Sequence, residues 1–367
     1  MIRKIYNSIS PLLLLFKWRK IDSERFQIPK FERKKNKNLF WIHAVSVGET
    51  KAATPFAIAL KKRDPKAQIV ISCGTKTGLA EAKKSLPELD AHFRLPLDAT
   101  WLMKPLVKLF NPNHFFLVET DLWPNLLYFL KKNGTTCSLI NAKMSDKSYR
   151  RYKLFPIFAR SQMGYFDHIC LQSESYRKCF APYFSGELLV TGNLKWDALA
   201  IKTFPKEKEF TITLGSTHPG EERLLLEALK DFPAKIYVVP RHPQRFSEVR
   251  KLVKNYPKAL LVDQMGVLCD YYAKSQIAIV GGSFLPGIGG HNIFEPLAYG
   301  TPVIFGPHMS GQEEMARLAK KSGAGRQCEA EELVMEIKKL EGKGEAGQTL
   351  LRSLQGPTKK TLSLVRK

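Results

Sequence analysis

The feature that most constrains this chain is a succession of short apolar runs, each closing on a polar or glycine-rich turn. Five come first: "LFWIHAVS" (39–46), "IVIS" (69–72), "HFFLVET" (114–120), "SLINA" (138–142) and "HICLQ" (168–172). A second series reads "LLVTG" (188–192), "FTITLGS" (210–216), "KIYVVP" (235–240), "ALLVD" (259–263), "IAIVGG" (277–282) and "PVIFG" (302–306). Runs that are apolar throughout fit strands buried on both faces, as in parallel sheets. Helical stretches separate them, so the pattern predicts an α/β fold. In such sheets ligands bind beyond the carboxyl ends of the strands, so the residues that follow each run are the informative ones.

A chain of 367 residues has room for two domains of this kind. The charged, proline-bearing stretch "IKTFPKEKEF" breaks the pattern and predicts a linker over 201–209, between a first domain over 38–200 and a second over 210–344. Residues 345–367 read as a basic C-terminal helix that returns to the first domain or frays.

The formal charge is +24, a field that attracts anionic lipid, nucleotides, phosphorylated sugars or nucleic acid. Residues 1–37 hold eleven Lys or Arg against three Asp or Glu. Within them Ile9 to Phe16 form an apolar run interrupted by Ser10 and Pro11, far short of the roughly 20 residues a bilayer crossing needs. Lys17, Trp18, Arg19 and Lys20 follow, where a cleavable leader would carry small residues. Residues 1–20 therefore predict a segment lying on an anionic membrane surface, with a core helix bearing a solvated basic flank as the alternative. Six cysteines without CxxC spacing predict free thiols, in keeping with a reducing cytoplasm, and no structural zinc pattern is visible.

The turns carry the chemistry. In "HAVSVGET", Ser46 and Gly48 precede Glu49 at a helix start, where a carboxylate serves either as a general base or as a capping-box partner. "SCGTKTG" reads as an anion-receptive turn or an ordinary N-cap. "ETDLWPN" sets Glu119 and Asp121 at a strand end, either orienting a sugar hydroxyl or forming an exposed turn with Pro124 in the first helical turn. In "LGSTHPGEE", Ser216, Thr217 and Gly220 resemble an anion-receptive loop, and Glu221 and Glu222 suit the first helical turn. "VVPRHPQR" holds Arg241 and His242 between two prolines that stiffen the loop, a setting for gripping phosphate. "VGGSFLPGIGGHNIFEPLAYGTPVIFGPHM" brings glycines, Gly289 and Gly290 among them, close to a ligand. His291 and Asn292 then open a predicted helix, and Glu295, four and three residues on, shares their face for ribose hydroxyls. A metal at the His291/Glu295 pair lacks a third ligand nearby.

Seven stretches, "HAVSVGET", "ETDLWPN", "INAKMS", "VTGNLKWD", "GSTHPGEE", "VPRHPQR" and "GGSFLPGIGGHNIFEPLAYGTPVIFGPHM", together resemble the bacterial 3-deoxy-D-manno-octulosonic acid (Kdo) transferases of lipopolysaccharide assembly. They stand in the family's order between residues 43 and 309. The resemblance implies a GT-B glycosyltransferase: two Rossmann-like domains with parallel sheets facing an interdomain cleft. It implies an inverting, metal-independent reaction without a cofactor, at the cytoplasmic face of the bacterial inner membrane. The first domain would take a lipid A precursor and the second CMP-Kdo. By the same resemblance Glu49 is the base, with Glu119, Ser46 and Gly48 on the acceptor side. Arg241 would hold the donor phosphate, and Asn292 and Glu295 the CMP ribose. Ser216, Thr217, His242, Gly289 and Gly290 complete the expected donor site. Where many members carry G-E-L this chain has Gly266-Val267-Leu268, so one carboxylate is absent; and Ser310-Gly311-Gln312 stands where many continue Asn-Phe.

Two other readings compete. One is a GT-B enzyme using a UDP-sugar, a transferase or an epimerase. The other is a nucleic-acid or anionic-lipid binding protein resting on charge alone. The second finds no RNA-binding aromatic motif, zinc finger or helix-turn-helix, and leaves the glycine-rich strand ends without a role.

Overall fold

The computed structural model describes residue 3, residues 6–8, 22–119 and 121–365. Ile9 to Phe16 and Trp18, the heart of the expected membrane segment, fall outside these residues. The chain divides into two compact units: Met1–Ala198 with Gly356–Lys367, and Leu199–Gln355.

The first unit is built on a seven-stranded sheet, β1 (Leu39–Ala44), β2 (Gln68–Cys73), β3 (Ala91–Arg94), β4 (His114–Val118), β5 (Thr136–Ala142), β6 (His168–Leu171) and β7 (Leu188–Val190). Its order is β3-β2-β1-β4-β5-β6-β7, with every pairing parallel. Along β1 the side chains divide between two cores. Leu39 and Trp41 join Phe93, Phe110 and Phe115 on one face. Phe40, Ile42 and Ala44 meet Ala53, Phe56 and Leu60 of the helix Val47–Arg63 on the other. All six β1 residues are buried, which is why the run shows no polar alternation.

The second unit carries six parallel strands, β8 (Thr211–Thr217), β9 (Lys235–Pro240), β10 (Ala259–Leu261), β11 (Ile277–Val280), β12 (Val303–Phe305) and β13 (Gly325–Gln327). Their order is β10-β9-β8-β11-β12-β13. In each sheet the winding reverses beside the first strand, between β1 and β4 and between β8 and β11. The crevice beyond the carboxyl ends at such a reversal is the ligand position of open α/β sheets. The carboxyl ends of these four strands, with the residues just beyond them, hold Glu49, Glu119, Ser216 and Gly281–Gly290.

Four expectations need correction. "LLVTG", grouped with the second series, is the last strand of the first sheet, pairing Ile169 with Leu188. β3 and β13, unforeseen, are short edge strands that mix apolar and polar residues. Residues 201–209 are no free linker. Lys206 Nζ donates to Ala273 O at 3.0 Å, Tyr299 O at 3.2 Å and Thr301 Oγ1 at 2.5 Å, and Glu207 pairs with Lys235 and Lys274, so this stretch belongs to the second unit. The segment 345–367 is divided: the helix Gly344–Leu354 stays with the second unit, and the chain returns to the first from Gly356. Asp197 anchors that return by accepting from Gly356 N at 2.7 Å and Thr358 N at 2.6 Å.

Candidate active site

In the first unit, the turn after β1 places Ser46 as the N-cap of the helix Val47–Arg63, its Oγ accepting from Glu49 N at 3.4 Å. The Glu49 carboxylate folds back over the turn. Oε2 accepts from Val45 N at 2.6 Å and Oε1 from Ser46 Oγ at 3.0 Å. The cap thus fixes the orientation of a carboxylate that is only 9% exposed. Burial pushes its pKa up to about 7, with the charges of Glu119 and Asp121 adding and the Val45 N–H opposing. A carboxylate so poised can take a proton from an alcohol near neutral pH. Gly48 is exposed, and a Cβ there would meet only Ser46 Oγ at 3.9 Å, so this stretch of backbone is open to a ligand.

The neighbouring "SCGTKTG" turn is a packing joint and a cap. Thr75 Oγ1 accepts from Gly78 N at 3.0 Å, and a Cβ on Gly74 would lie 2.6 Å from Val45 Cγ1. Glu119 follows β4 with φ +64°, an uncommon conformation for a residue with a side chain. Its Oε2 lies 2.9 Å from Lys143 Nζ and its Oε1 3.5 Å from Lys195 Nζ. These lysines were not among the expected site residues, although "INAKMS" and "VTGNLKWD" both carry one. Burial and the Glu119 charge raise the Asp121 carboxyl. Asp98, also unforeseen, caps the helix Pro124–Lys132, accepting from Asn125 N and Leu126 N, both at 2.9 Å.

In the second unit, β8 ends in a bulge, with Ser216 at φ +55°. Thr217 is fully buried, and its hydroxyl donates to Glu222 Oε1 at 2.7 Å, leaving half-buried Ser216 as the surface member of the pair. Glu222 also receives Arg245 in a two-pronged pair at 2.6 and 3.0 Å. Glu221 does more than favour a helix dipole. Fully buried, it accepts from His218 N (2.9 Å), Gly282 N (2.7 Å), Ser283 N (3.0 Å) and Phe284 N (3.0 Å). One carboxylate thereby ties the β8 turn to the glycine-rich turn after β11.

Farther along that turn, Gly289 and Gly290 both sit at φ +87°, and Gly289 O accepts from Gly311 N at 2.8 Å. A Cβ on Gly289 would lie 2.8 Å from Ser310 Oγ, so the divergent Ser310-Gly311 pair packs directly on this loop. Arg241 follows β9 with its backbone N–H on Thr217 O at 3.0 Å and its side chain exposed, close enough for its charge to depress His291. His242 is exposed and meets His218 edge-on at 5.3 Å.

The expected face of His291, Asn292 and Glu295 forms only in part. The helix begins at Phe294, not at His291, and its first N–H is taken by Asn292 Oδ1 at 3.0 Å. Asn292 Nδ2 donates to Glu295 Oε1 at 3.1 Å. His291 leaves that face and stacks on His218, with Nε2 to Nε2 at 2.8 Å. Burial pushes His291 down to about 4 and lowers His218 as well, so both rings are neutral at pH 7 and one N–H is shared between them. The histidine cluster was legible only as a separate His in each of "STHPG", "PRHP" and "GGHN".

Sequence comparison points to one family, and structural comparison to one fold. Residues 22–198 match the model for 3-deoxy-D-manno-octulosonic-acid transferase (kdotransferase). The 3-deoxy-D-manno-octulosonic acid transferase of Chlamydia muridarum is 30% identical over 351 residues, covering 86% of this chain and 81% of its own. Among solved structures, MurG of Acinetobacter baumannii aligns with TM-score 0.60 at 13% identity, over 90% of this chain and 99% of that one. The UDP-GlcNAc 2-epimerase of Neisseria meningitidis, bound to UDP-GlcNAc, aligns with TM-score 0.60 at 16% identity, over 88% and 95%. At such identities the structural likeness speaks for the fold, which is the GT-B arrangement of two parallel α/β sheets. With a 30% identical relative matched along most of both chains, the protein belongs to the Kdo transferases and is a glycosyltransferase.

Proposed function

We propose that this chain transfers Kdo from CMP-Kdo to a sugar hydroxyl of a lipid A precursor, with inversion at the anomeric carbon. The observation that carries the assignment of the base is Glu49, buried on its own cap with a pKa near 7. In the ionised form it removes the acceptor hydroxyl proton as the new C–O bond forms. The bond from the anomeric carbon to the CMP phosphate breaks, and the charge departs with CMP. Arg241, exposed just after β9, is the candidate to meet that charge, since a guanidinium pairs well with phosphate. Ser216, His242 and the Gly289–Gly290 backbone are the further candidates for the donor, and the Asn292–Glu295 pair for the ribose. Lys143 and Lys195 hold Glu119, on the acceptor side.

CMP bears one phosphate, which a guanidinium and backbone amides can match, so the reaction is assigned no metal and no cofactor. The acceptor is a lipid, and the basic excess of the chain suits an anionic surface, so we assign the enzyme to the cytoplasmic face of the bacterial inner membrane. Among the described residues no helix is long and apolar enough to cross a membrane. The test is mass spectrometry of products from a tetra-acylated lipid A precursor and freshly made CMP-Kdo, with and without EDTA. Kdo adducts are expected from the wild type in both and none from Glu49→Ala. Adducts from the variant would remove Glu49 as the base.

A further inference from the structure

The helices Asp146–Leu154 and Pro156–Met163 form a corner in the first unit at Phe155, whose φ of −127° and ψ of 61° leave the helical path. Pro156 has no N–H to continue the first helix and opens the second. The inward side of the pair is accounted for: Ala159 and Met163 are buried, and Tyr149 and Tyr152 pack on the core. The outward side is not. Leu154 is 73% exposed, Phe155 65% and Ile157 67%, the three most exposed large apolar side chains among the described residues. Single exposed apolar residues need no explanation, but three at one helix junction do.

Charge decides what covers them. Lys147, Arg150, Arg151, Lys153 and Arg160 are all exposed around the corner, and Asp146 is the one acidic residue between 146 and 160. Exposed apolar side chains flanked by exposed cations match the boundary between lipid headgroups and acyl chains when the headgroups are anionic. A second copy of the chain would present the same five cations and be repelled. The corner also follows directly from the site. Lys143, which holds Glu119 at 2.9 Å, is three residues before the first helix.

We propose that Leu154, Phe155 and Ile157 dock this unit onto an anionic bilayer, with the surrounding lysines and arginines on the headgroups. The proposal deepens the membrane assignment made above and rests on it. It is independent of residues 1–20, the segment the sequence singled out for that role.

The test is co-sedimentation of the full chain with phosphatidylcholine vesicles, with and without phosphatidylglycerol. Wild type is expected to bind the anionic vesicles. Leu154→Ser/Phe155→Ser/Ile157→Ser should bind them about tenfold more weakly with an unchanged melting temperature, because the side chains removed touch little of the protein. Arg150→Glu/Arg151→Glu, which leaves the apolar tip intact, should lose the dependence on phosphatidylglycerol. Undiminished vesicle binding in both variants overturns the proposal while leaving the membrane assignment standing. No binding by wild type overturns both. Unchanged vesicle binding with a dimer that the triple variant dissociates would make the corner a self-association face and also overturn it. Kdo transfer to detergent-dispersed acceptor should persist in both variants, which separates docking from catalysis.

Discussion

Gly282 N–H points at the Glu221 carboxylate from 2.7 Å, and this contact fixes where the glycine-rich turn begins. The same group holds Ser283, Phe284 and His218 by their backbone N–H groups, without exposure to water. Glu221→Gln replaces one acceptor oxygen with an NH₂ that faces N–H donors. The expected loss is about 2–3 kcal/mol of stability, read by urea denaturation, with weaker CMP binding as the loop loosens. Gly281→Ala should resemble it, because a Cβ there lies 2.7 Å from both Glu221 Oε2 and Thr217 Cα. If Glu221→Gln holds CMP as tightly as wild type, Glu221 does not shape the donor site.

Glu49 links stability and activity to pH in opposite directions. Its folded pKa of about 7 lies above the 4.5 of a free Glu. Between those values the folded state binds more protons than the unfolded state, so stability falls as pH rises through the window. The ionised form costs about 3 kcal/mol once pH exceeds 7. With Glu49 as the proposed base the ionised form is the active one, so kcat/KM for the acceptor should rise with an apparent pKa near 7. Glu49→Gln should be inactive and should show a flatter decline of melting temperature between pH 5 and pH 8, the range that spans this titration.

Which parts of this arrangement could be read from sequence follows from how each residue is satisfied. Buried central strands announce themselves, because both faces demand apolar side chains. β3 and β13 do not, since an edge strand keeps residues such as His92, Arg94 and Arg326. The capping role of Glu49 was legible because its partners, Val45 and Ser46, are sequence neighbours. Glu221 was read only as a first-turn carboxylate because three of its donors lie some sixty residues away. The stretch 201–209 looked like a linker because Lys206 and Glu207 are charged. Their partners at 235, 273–274, 299 and 301 exist only once the second unit has folded.

Glu119 sets the electrostatic background for Glu49, and its lysines moderate it. The Glu119 charge is one of the influences that raise Glu49. Glu119→Gln should therefore shift the pH–rate inflection to lower pH. Lys143→Met removes the cation 2.9 Å from Glu119, leaves its negative charge less compensated, and should shift the inflection upward. Opposite displacements in the two variants, measured as kcat/KM against pH, are the signature. Displacement of both in the same direction would mean that the effect is structural.

The His218–His291 contact makes acid sensitivity a property of the second unit. Two rings whose Nε2 atoms approach to 2.8 Å need one N–H between them, and protonation of the accepting Nε2 would set two N–H donors face to face, one of them on an imidazolium. Both folded pKa values lie below the free value of 6.5, that of His291 at about 4. Below pH 6.5 the unfolded chain therefore takes up protons that the folded pair refuses, so stability falls with pH down to about 4. The groups around the pair are His242, Arg241, Arg245, Glu221 and Glu222; the three basic ones oppose protonation and the two carboxylates favour it. His291→Asn should flatten the acid limb of the melting-temperature profile between pH 6.5 and 4, the interval set by those pKa values. His92→Asn, in the first unit and apart from this pair, should leave it steeper than in the His291 variant. An acid limb unchanged by His291→Asn would mean that the shared proton does not govern the response.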